Sequence, residues 1–442
     1  MSKVAVRFPP SPTGHLHIGT ARTMLFNYVF AKRAGGKIIF RSEDTDRTRS
    51  KEEFEQEITE GLHWLGLSWN TFLRQSANAP RHQELLEKLV EDGKAYTSKE
   101  AAKDEPGREV EVVRLKNPGK SITFTDAVRG EVTFNTTELG DFVIARSITD
   151  PLYHFAVVVD DWDEGITHVI RGEDHISNTP RQILIQEALG APRPEYAHIP
   201  LILDENRAKL SKRSPSGVPL IFDYRDEGIL PEAIVNYLAL LGWNPGGDRE
   251  DFSLAELVEI FSLDGVQKGG AVFDRTKILS VNQRWMRKLS PGDFIERGGL
   301  VAPDAAILEK AVPLLKERAR TFGEARDLLA GELSCLFARP SLDRAQLIAK
   351  ETLSNSTRKY LEGALALVEK IPAGESADAI KAALMPLADA NSKESGGRGA
   401  VLWPLRYALS GQEKSPDPFT LISTLGREES MARIAAAIAL LN

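Results

Sequence analysis

The order of elements in the first forty residues constrains the fold more than any other feature of this sequence. A short β-prone run, residues 4–8, stops at a loop with three prolines in residues 9–12, and proline cannot donate to a ladder. Apolar residues then recur at helical spacing over 21–29, and a second β-prone run covers 37–40. Strand, helix and strand in this order predict a right-handed crossover unit of a parallel sheet. The first loop is therefore expected at the carboxyl edge of that sheet, where helix N-termini present amide groups to anions.

Charge and cysteine content exclude several classes of protein. The net charge of −7 is unlike that of a uniformly basic nucleic-acid coat protein, so a polyanionic partner must meet a local basic patch. The single cysteine, Cys335, excludes an internal disulfide and any cysteine-rich zinc or iron–sulfur site. No stretch approaches the ~18 apolar residues of a membrane helix, and the start has no apolar signal core. We expect a cytoplasmic protein that does not contact a membrane.

Two local patterns predict helix boundaries. Ser50 followed by Glu53 has the spacing of a capping box, which predicts a helix that begins there. Thr179 and Pro180 are favoured at a helix cap and in a first turn, and Gly190 is a suitable stop.

Two distant loops carry the residues suited to chemistry on phosphates. The first, residues 11–20, places His15 and His17 beside glycines at the predicted strand-to-helix turn. The second, residues 208–217, is rich in small residues and contains the cations Lys209, Lys212 and Arg213, which suit a polyphosphate. Taken alone, each has a simpler interpretation, since a histidine can merely cap a helix and a basic loop is usually solvated surface.

Together the two loops resemble the signatures of class I aminoacyl-tRNA synthetases. His17, Ile18, Gly19 and Thr20 match the HIGH-type signature, with Thr20 where the signature has a second histidine. Residues 209–213 match the KMSKS-type signature. Further segments narrow the resemblance to glutamyl-tRNA synthetases of the bacterial type, and they occur in the expected order: 7–14, 41–47, 153–161 and 169–175.

The resemblance covers the whole chain and implies its domain organisation. We expect an α/β protein with a Rossmann-like parallel-sheet catalytic domain, an α+β insertion, a stem-contact region and all-α anticodon-binding bundles. The expected bounds are 1–78 and 150–208 for the catalytic domain, 79–149 for the acceptor-binding insertion, 209–288 for the stem-contact region with the KMSKS-type loop, and 289–442 for two helical bundles that meet near residue 345.

The implied reaction is ATP-dependent activation of L-glutamate to glutamyl adenylate, followed by transfer to the terminal adenosine of tRNA(Glu). Positioning and charge stabilisation suffice for it, because the α-carboxylate of glutamate is itself the nucleophile. The resemblance assigns catalysis to His17, Gly19, Lys209 and Lys212. It assigns ATP binding to His17, Gly19, Thr20, Lys209, Ser211 and Lys212. It assigns glutamate binding to Arg7, Ser11, Glu43, Tyr153 and Arg171.

The resemblance also implies the cofactors and partners. ATP should enter with Mg²⁺, whereas no resident metal and no zinc are expected, because the insertion lacks the cysteines that hold zinc in some relatives. The partners are tRNA(Glu), glutamate and ATP, and we expect a monomer. Residues 289–442 are nearly neutral, so the anticodon should be read by a few arginines and aromatics. The candidates are Arg318, Arg320, Trp403 and Arg406, for which surface charge or core packing is an equal alternative.

Other functions remain open to test. A smaller nucleotidyltransferase with the same histidine signature would not need the helical C-terminal part. A non-catalytic tRNA-binding homologue should have lost His17, Lys212 or Arg171, which are all present. The sequence does not decide whether the enzyme charges only tRNA(Glu) or also tRNA(Gln), because one or two contacts worth ~1–3 kcal/mol would separate them.

Overall fold

The computed structural model describes residues 3–101, 109–210, 217–348, 353–391 and 396–442. The chain divides into two compact units, Met1–Val281 and Asn282–Asn442. In the described residues, no helix is both long enough and apolar enough to cross a membrane.

The first unit opens with a three-stranded parallel sheet in the order β1, β2, β3. Its elements are β1 (Ala5–Phe8), α1 (Ile18–Arg33), β2 (Lys37–Ser42), α2 (Glu52–Trp64) and β3 (Thr71–Arg74). Val6 pairs with Ile38 and Phe8 with Phe40, which confirms the predicted crossover unit. All four residues of β1 are buried, as is usual for a strand that is covered on both faces. Arg7 is therefore a charged residue inside a buried strand.

The capping box predicted at Ser50 is wrong. Helix α2 begins at Glu52, with Lys51 at the N-cap and no side-chain cap, and the amide of Ser50 instead donates to the carbonyl of Asp46. Ser50 thus belongs to the turn that precedes α2 and does not lie at the N-cap. A capping box does occur at Ser253 and Glu256, where both reciprocal hydrogen bonds are made.

Short strands and one helix follow the first sheet. They are α3 (Ala79–Glu91), β4 (Ala95–Ala101), β5 (Glu109–Leu115), β6 (Ser121–Asp126), β7 (Gly130–Asn135), β8 (Phe142–Ser147) and β9 (Asp150–Pro151). Strands β4, β5, β8 and β9 form an antiparallel sheet, and β6 and β7 form a hairpin. This mixture of helix and antiparallel strands matches the predicted α+β character of the segment.

The chain then returns to parallel strands. The elements are α4 (Tyr153–Asp163), β10 (His168–Gly172), α5 (Thr179–Leu189), β11 (Glu195–Ile199) and β12 (Ile202–Leu203). Strand β10 pairs in parallel with β11, and the amide of Thr167 donates to the carbonyl of Ala5, which ties the start of β10 to β1. Helix α5 begins at Thr179, with Asn178 at the cap, and ends at Gly190 in the left-handed conformation.

The rest of the first unit is mainly helical. It contains α6 (Ile221–Asp226), α7 (Pro231–Leu240), α8 (Leu254–Ile260), β13 (Ala271–Val272) and α9 (Arg275–Lys288), whose last turns belong to the second unit. Strand β13 pairs with β12. Helix α7 packs against α1, so it supports the helix that follows the first loop.

The second unit has no strand among its described residues. Its helices are α10 (Pro291–Gly298), α11 (Ala305–Arg318), α12 (Phe322–Ala330), α13 (Arg344–Leu347), α14 (Ser354–Val368), α15 (Ala377–Ala390), α16 (Gly399–Ser410), α17 (Pro418–Leu425) and α18 (Arg427–Leu440). The fold class, a parallel-sheet domain followed by a helical region, is confirmed. The finer domain bounds stay a prediction.

Candidate active site

A cavity of about 700 Å³ lies in the first unit, at the carboxyl ends of β1, β2 and β10. Its lining includes every predicted glutamate and nucleotide residue that the structure describes: Arg7, Ser11, His17, Gly19, Thr20, Glu43, Tyr153, Arg171 and Lys209. Ser211 and Lys212 lie outside the described residues. The structure thus brings the two distant loops to one cavity, through Lys209 for the second of them.

His17 caps the helix that faces the cavity. Its Nδ1 accepts from the amides of Gly19, at 3.2 Å, and Thr20, at 3.3 Å. Nδ1 therefore carries no proton in this arrangement, and Nε2 is the nitrogen that can donate to Thr20 Oγ1, 3.2 Å away. A side chain at Gly19 would meet the imidazole at 3.1 Å, so glycine leaves room for this cap. The capping interpretation of His17 is thus confirmed, and its place in the cavity lining leaves the functional interpretation a prediction.

Lys209 is the described cation of the second loop, and it is held by an acidic partner. Its Nζ lies 2.8 Å from Asp174 Oδ2, and both side chains are more than one third exposed. Burial by itself would raise the pKa of Asp174. The hydrogen bond from Lys209 helps to lower that pKa below its ordinary value. Asp174 also lines the cavity. The ammonium group therefore lies at the cavity, next to a carboxylate of the same lining.

Arg7 lies on β1, and one nitrogen of its guanidinium group makes no hydrogen bond. Its Nε donates to Asp161 at 3.1 Å, the side chain is buried, and Nη1 has no hydrogen-bond partner. A buried donor without a partner is costly, so Nη1 is an unsatisfied donor of this site. Asp161 orients the guanidinium through Nε, and Nη1 takes no part in that contact.

Arg41 forms a buried ionic hub behind the cavity. Its guanidinium bonds Glu43 at 3.2 Å, Asp161 at 2.8 Å and Glu164 at 2.7 Å. Burial raises the pKa of Glu43, while Arg41 and Arg7 oppose that rise. Burial also raises the pKa of Glu164, to about 7, against Arg41. Arg41 thereby holds Glu43 at the cavity, where a carboxylate could accept from an ammonium group.

Arg171 and Tyr153 complete the polar lining. Arg171 lies at the end of β10, is buried, and donates to His198 Nε2 at 3.1 Å and to Thr179 Oγ1 at 2.8 Å. Tyr153 begins α4 and is 37% exposed, so it is not a core aromatic. The buried guanidinium groups of Arg7 and Arg171, together with that of Arg22, therefore line one cavity, and such groups suit a carboxylate.

Comparison with known proteins agrees with this geometry. The family described as tRNA synthetases class I (E and Q), catalytic domain, matches residues 3–109 and 97–280, and a family described as anticodon binding domain matches residues 283–438. The chain is a class I tRNA synthetase. The resemblance found in the two signature loops is confirmed.

Individual relatives of this synthetase match over the whole chain. It is 39% identical to a glutamate–tRNA ligase of Oleidesulfovibrio alaskensis, with 100% of both chains covered, and 40% identical to a glutamate–tRNA ligase 1 of Mesorhizobium japonicum, with 99% of each covered. The crystal structure of a glutamate tRNA ligase from Elizabethkingia meningosepticum in complex with its amino acid covers both chains completely, with TM-score 0.85 and 31% identity. A glutamate-tRNA synthetase structure from Elizabethkingia anophelis gives TM-score 0.81 and 30% identity, covering 99% of this chain and 100% of that one.

Sequence reasoning missed the residues that hold the predicted ones in the synthetase. Asp161 supports Arg7, Arg41 supports Glu43, Asp174 pairs with Lys209, and His198 accepts from Arg171. Arg41, Asp161 and Asp174 lie inside the segments that carry the resemblance. The sequence therefore pointed to these residues but did not indicate what they do. His198 lies outside those segments, and only its buried position beside Arg171 identifies it.

The predicted anticodon residues of the synthetase are engaged within the second unit. Arg318 forms an ion pair with Glu332, and Arg320 pairs with Glu324 at 2.9 Å. Arg406 lies over the ring of Trp403 at 4.8 Å, and Trp403 Nε1 donates to the carbonyl of Gln346 at 2.9 Å. Trp403 and Arg406 thus form one contiguous aromatic and cationic pair, whereas each of the other two arginines has an acidic neighbour.

Residues 3–101, 109–210, 217–348, 353–391 and 396–442 contain no group of three or more His, Cys, Asp or Glu side chains placed to hold a metal ion.

Proposed function

We propose that this chain is a glutamate–tRNA ligase that activates L-glutamate with ATP and transfers the glutamyl group to the terminal adenosine of tRNA(Glu). The observation that carries the proposal is the common cavity, which joins the N-terminus of α1, Lys209 and two buried arginines. The relatives named glutamate–tRNA ligase support the same activity. The cytoplasm, which holds ATP and tRNA, is the proposed location.

In the first step, the α-carboxylate of glutamate attacks the α-phosphate of MgATP, and the bond to the leaving pyrophosphate breaks. No protein nucleophile is needed, so the protein positions the reactants and stabilises the charge that develops. The N-terminus of α1, capped by His17, suits the nucleotide, and Lys209 and Lys212 suit the phosphates as negative charge builds on pyrophosphate. In the second step, a ribose hydroxyl of the tRNA takes the glutamyl group and AMP leaves.

Selection of glutamate requires recognition of a second carboxylate. The buried Arg7, whose Nη1 lacks a partner, and Arg171 support this role, because guanidinium groups bind a carboxylate in a planar, two-point manner. Tyr153 lies beside them in the lining. Glu43 and Ser11 are proposed to hold the α-amino group, to which an anionic partner is complementary.

The test is aminoacylation of purified tRNA(Glu) and tRNA(Gln), side by side, with labelled glutamate. We expect charging of tRNA(Glu), and Arg171→Ala should abolish measurable glutamate activation while ATP still binds. Arg193→Ala is the matched control, because Arg193 is an exposed arginine of the same unit that pairs with Glu187. No charging of tRNA(Glu), or full activity of Arg171→Ala, contradicts the proposal.

Charging of tRNA(Gln) in the same experiment would identify a non-discriminating enzyme, which is the second candidate function. A monomer is also proposed as the oligomeric state. Light scattering of the purified protein measures this, and a dimer at assay concentration would contradict it.

A further inference from the structure

Arg171 differs from Arg7 and Arg41 in its partners. Arg7 and Arg41 bond carboxylates, whereas Arg171 donates to His198 Nε2, Thr179 Oγ1 and, at 3.5 Å, the carbonyl of His175. In the described part of the chain, Arg171 thus donates to a hydroxyl, a backbone carbonyl and an imidazole. The first two acceptors are uncharged, and the imidazole is uncharged when only one of its nitrogens carries a proton. An acidic partner partly offsets the positive charge of the guanidinium, as Asp161 does for Arg7. A neutral acceptor orients the guanidinium and leaves its full charge for a bound carboxylate.

His198 can act as that acceptor in only one protonation state. Its Nε2 faces Arg171 Nε, 3.1 Å away, and arginine can only donate. Nε2 must therefore carry a lone pair, and the proton of a neutral imidazole must lie on Nδ1. Nδ1 lies 2.6 Å from Asp126 Oδ2, so its N–H donates a hydrogen bond to that oxygen. His198 is fully buried, and burial lowers its pKa, so the neutral ring is favoured.

Asp126 is itself fixed by the backbone. Its Oδ1 accepts from the amides of Val128, at 3.0 Å, and Arg129, at 2.9 Å, and the amide of His198 donates to its Oδ2 at 3.1 Å. Asp126 ends β6, where that strand meets β11 at a single residue pair, Asp126 with Tyr196. The β6 and β7 hairpin thus brings one buried carboxylate to the back of the cavity lining.

We propose that Asp126 and His198 are positioning residues for glutamate: Asp126 holds His198 in the Nδ1-protonated form, and His198 holds the Arg171 guanidinium in place with its charge unneutralised. This rests on the proposed function, in which Arg171 binds the side-chain carboxylate. Neither residue touches the substrate in this arrangement. Both act through the orientation and the charge of Arg171.

Asp126→Asn is the most specific test, because it keeps the shape of the side chain and replaces one hydrogen-bond acceptor by a donor. The amide oxygen, in the place of Oδ1, still accepts from the amides of Val128 and Arg129 and can accept from that of His198, which lies 3.2 Å from Oδ1, while the NH₂ group faces His198 Nδ1 as a donor. The imidazole proton must then move to Nε2, where it opposes the N–H of Arg171. We expect the glutamate KM in tRNA(Glu) charging to rise ~10- to 100-fold, with the ATP KM within ~2-fold of wild type.

His198 variants separate positioning from stability. His198→Phe removes both nitrogens and should raise the glutamate KM by a similar factor. His198→Gln places an acceptor and a donor on neighbouring atoms, so it should restore the KM to within ~5-fold of wild type. Tyr237→Phe is the matched control: it deletes the hydrogen bond of a buried tyrosine with the amide of Asp274 and should leave the glutamate KM unchanged.

The outcomes distinguish this proposal from the proposed function. A wild-type protein that does not charge tRNA(Glu) overturns the proposed function. Active wild type with an unchanged glutamate KM in folded Asp126→Asn and His198→Phe overturns the positioning proposal alone. Should these variants fail to fold, ¹⁵N NMR of histidine-labelled wild type, assigned with His198→Gln, decides: a proton on Nδ1 of His198 supports the proposal and a proton on Nε2 overturns it.

Discussion

Asp161 Oδ1 lies 3.1 Å from Arg7 Nε and 2.8 Å from Arg41 Nη2, so one carboxylate oxygen joins the arginine that lines the cavity to the buried ionic hub behind it. Arg7 is thereby held from one side while its Nη1 stays unpaired. This arrangement differs from an ordinary structural ion pair, in which both partners satisfy one another.

Arg7→Lys should raise the glutamate KM by ~10- to 100-fold, because a lysine keeps the charge and loses the second donor toward the ligand. The ATP KM should change by less than ~3-fold. Steady-state aminoacylation measures both constants. Arg193→Lys, at an exposed arginine, is the matched control. Equal increases in the glutamate KM and the ATP KM would count against a carboxylate-binding role for Arg7.

Lys209→Ala should lower kcat by at least ~10-fold, because the charge that it contacts grows during the reaction. Asp174→Asn breaks the same ion pair from the other side and should change kcat by less than ~3-fold, since a half-exposed pair contributes less than about 1 kcal/mol. Pre-steady-state kinetics of adenylate formation measures both variants. If the two variants lowered kcat equally, the ion pair itself and not Lys209 would be the functional unit.

The two roles of His17 can be separated by His17→Asn and His17→Ala. Asparagine is a good N-cap, so His17→Asn should retain the melting temperature while kcat falls by ~100-fold with loss of the imidazole. His17→Ala should lose activity and also lower the melting temperature by ~2–4 °C, because it removes a cap worth about 1 kcal/mol. Calorimetry and aminoacylation test this together. An active His17→Asn enzyme would show that His17 serves only as a cap.

The ionisation of Glu164 should make the free energy of unfolding depend on pH. Burial raises its folded pKa to about 7, above the ordinary value of 4.5, so the folded state holds a proton that the unfolded chain has lost between these values. The stabilising contribution is complete below about pH 4.5 and is lost as the pH rises through about 7. Its size is about 1–3 kcal/mol.

Glu164→Gln cannot ionise, so its free energy of unfolding should vary less between pH 5 and 8 than that of wild type. Denaturant unfolding at several pH values measures the difference. Glu53→Gln, at an exposed carboxylate of the same unit that pairs with Lys51, is the control and should follow wild type. A Glu164→Gln profile parallel to wild type would show that Arg41 keeps Glu164 ionised over the whole range.

Local patterns in the sequence predicted much of the fold. The crossover unit of β1, α1 and β2, the helix that starts at Thr179 and the helical second unit all follow from periodicity and from proline and glycine positions. The prediction at Ser50 failed because Ser50 is engaged by a turn with Asp46, which competes with the cap. The turn uses the backbone amide of Ser50, the group to which Glu53 would have bonded in a capping box.

The sequence by itself determined the two signature loops, the parallel crossover and the residue types suited to phosphate and carboxylate, because these features depend on spacing along the chain. Only the tertiary structure decided which side chains support them. Asp161 reaches Arg7 across 154 positions, and Asp126 reaches His198 across 72. Such hydrogen bonds exist only where strands and helices meet, and their geometry is set by packing, which no local pattern of residues specifies.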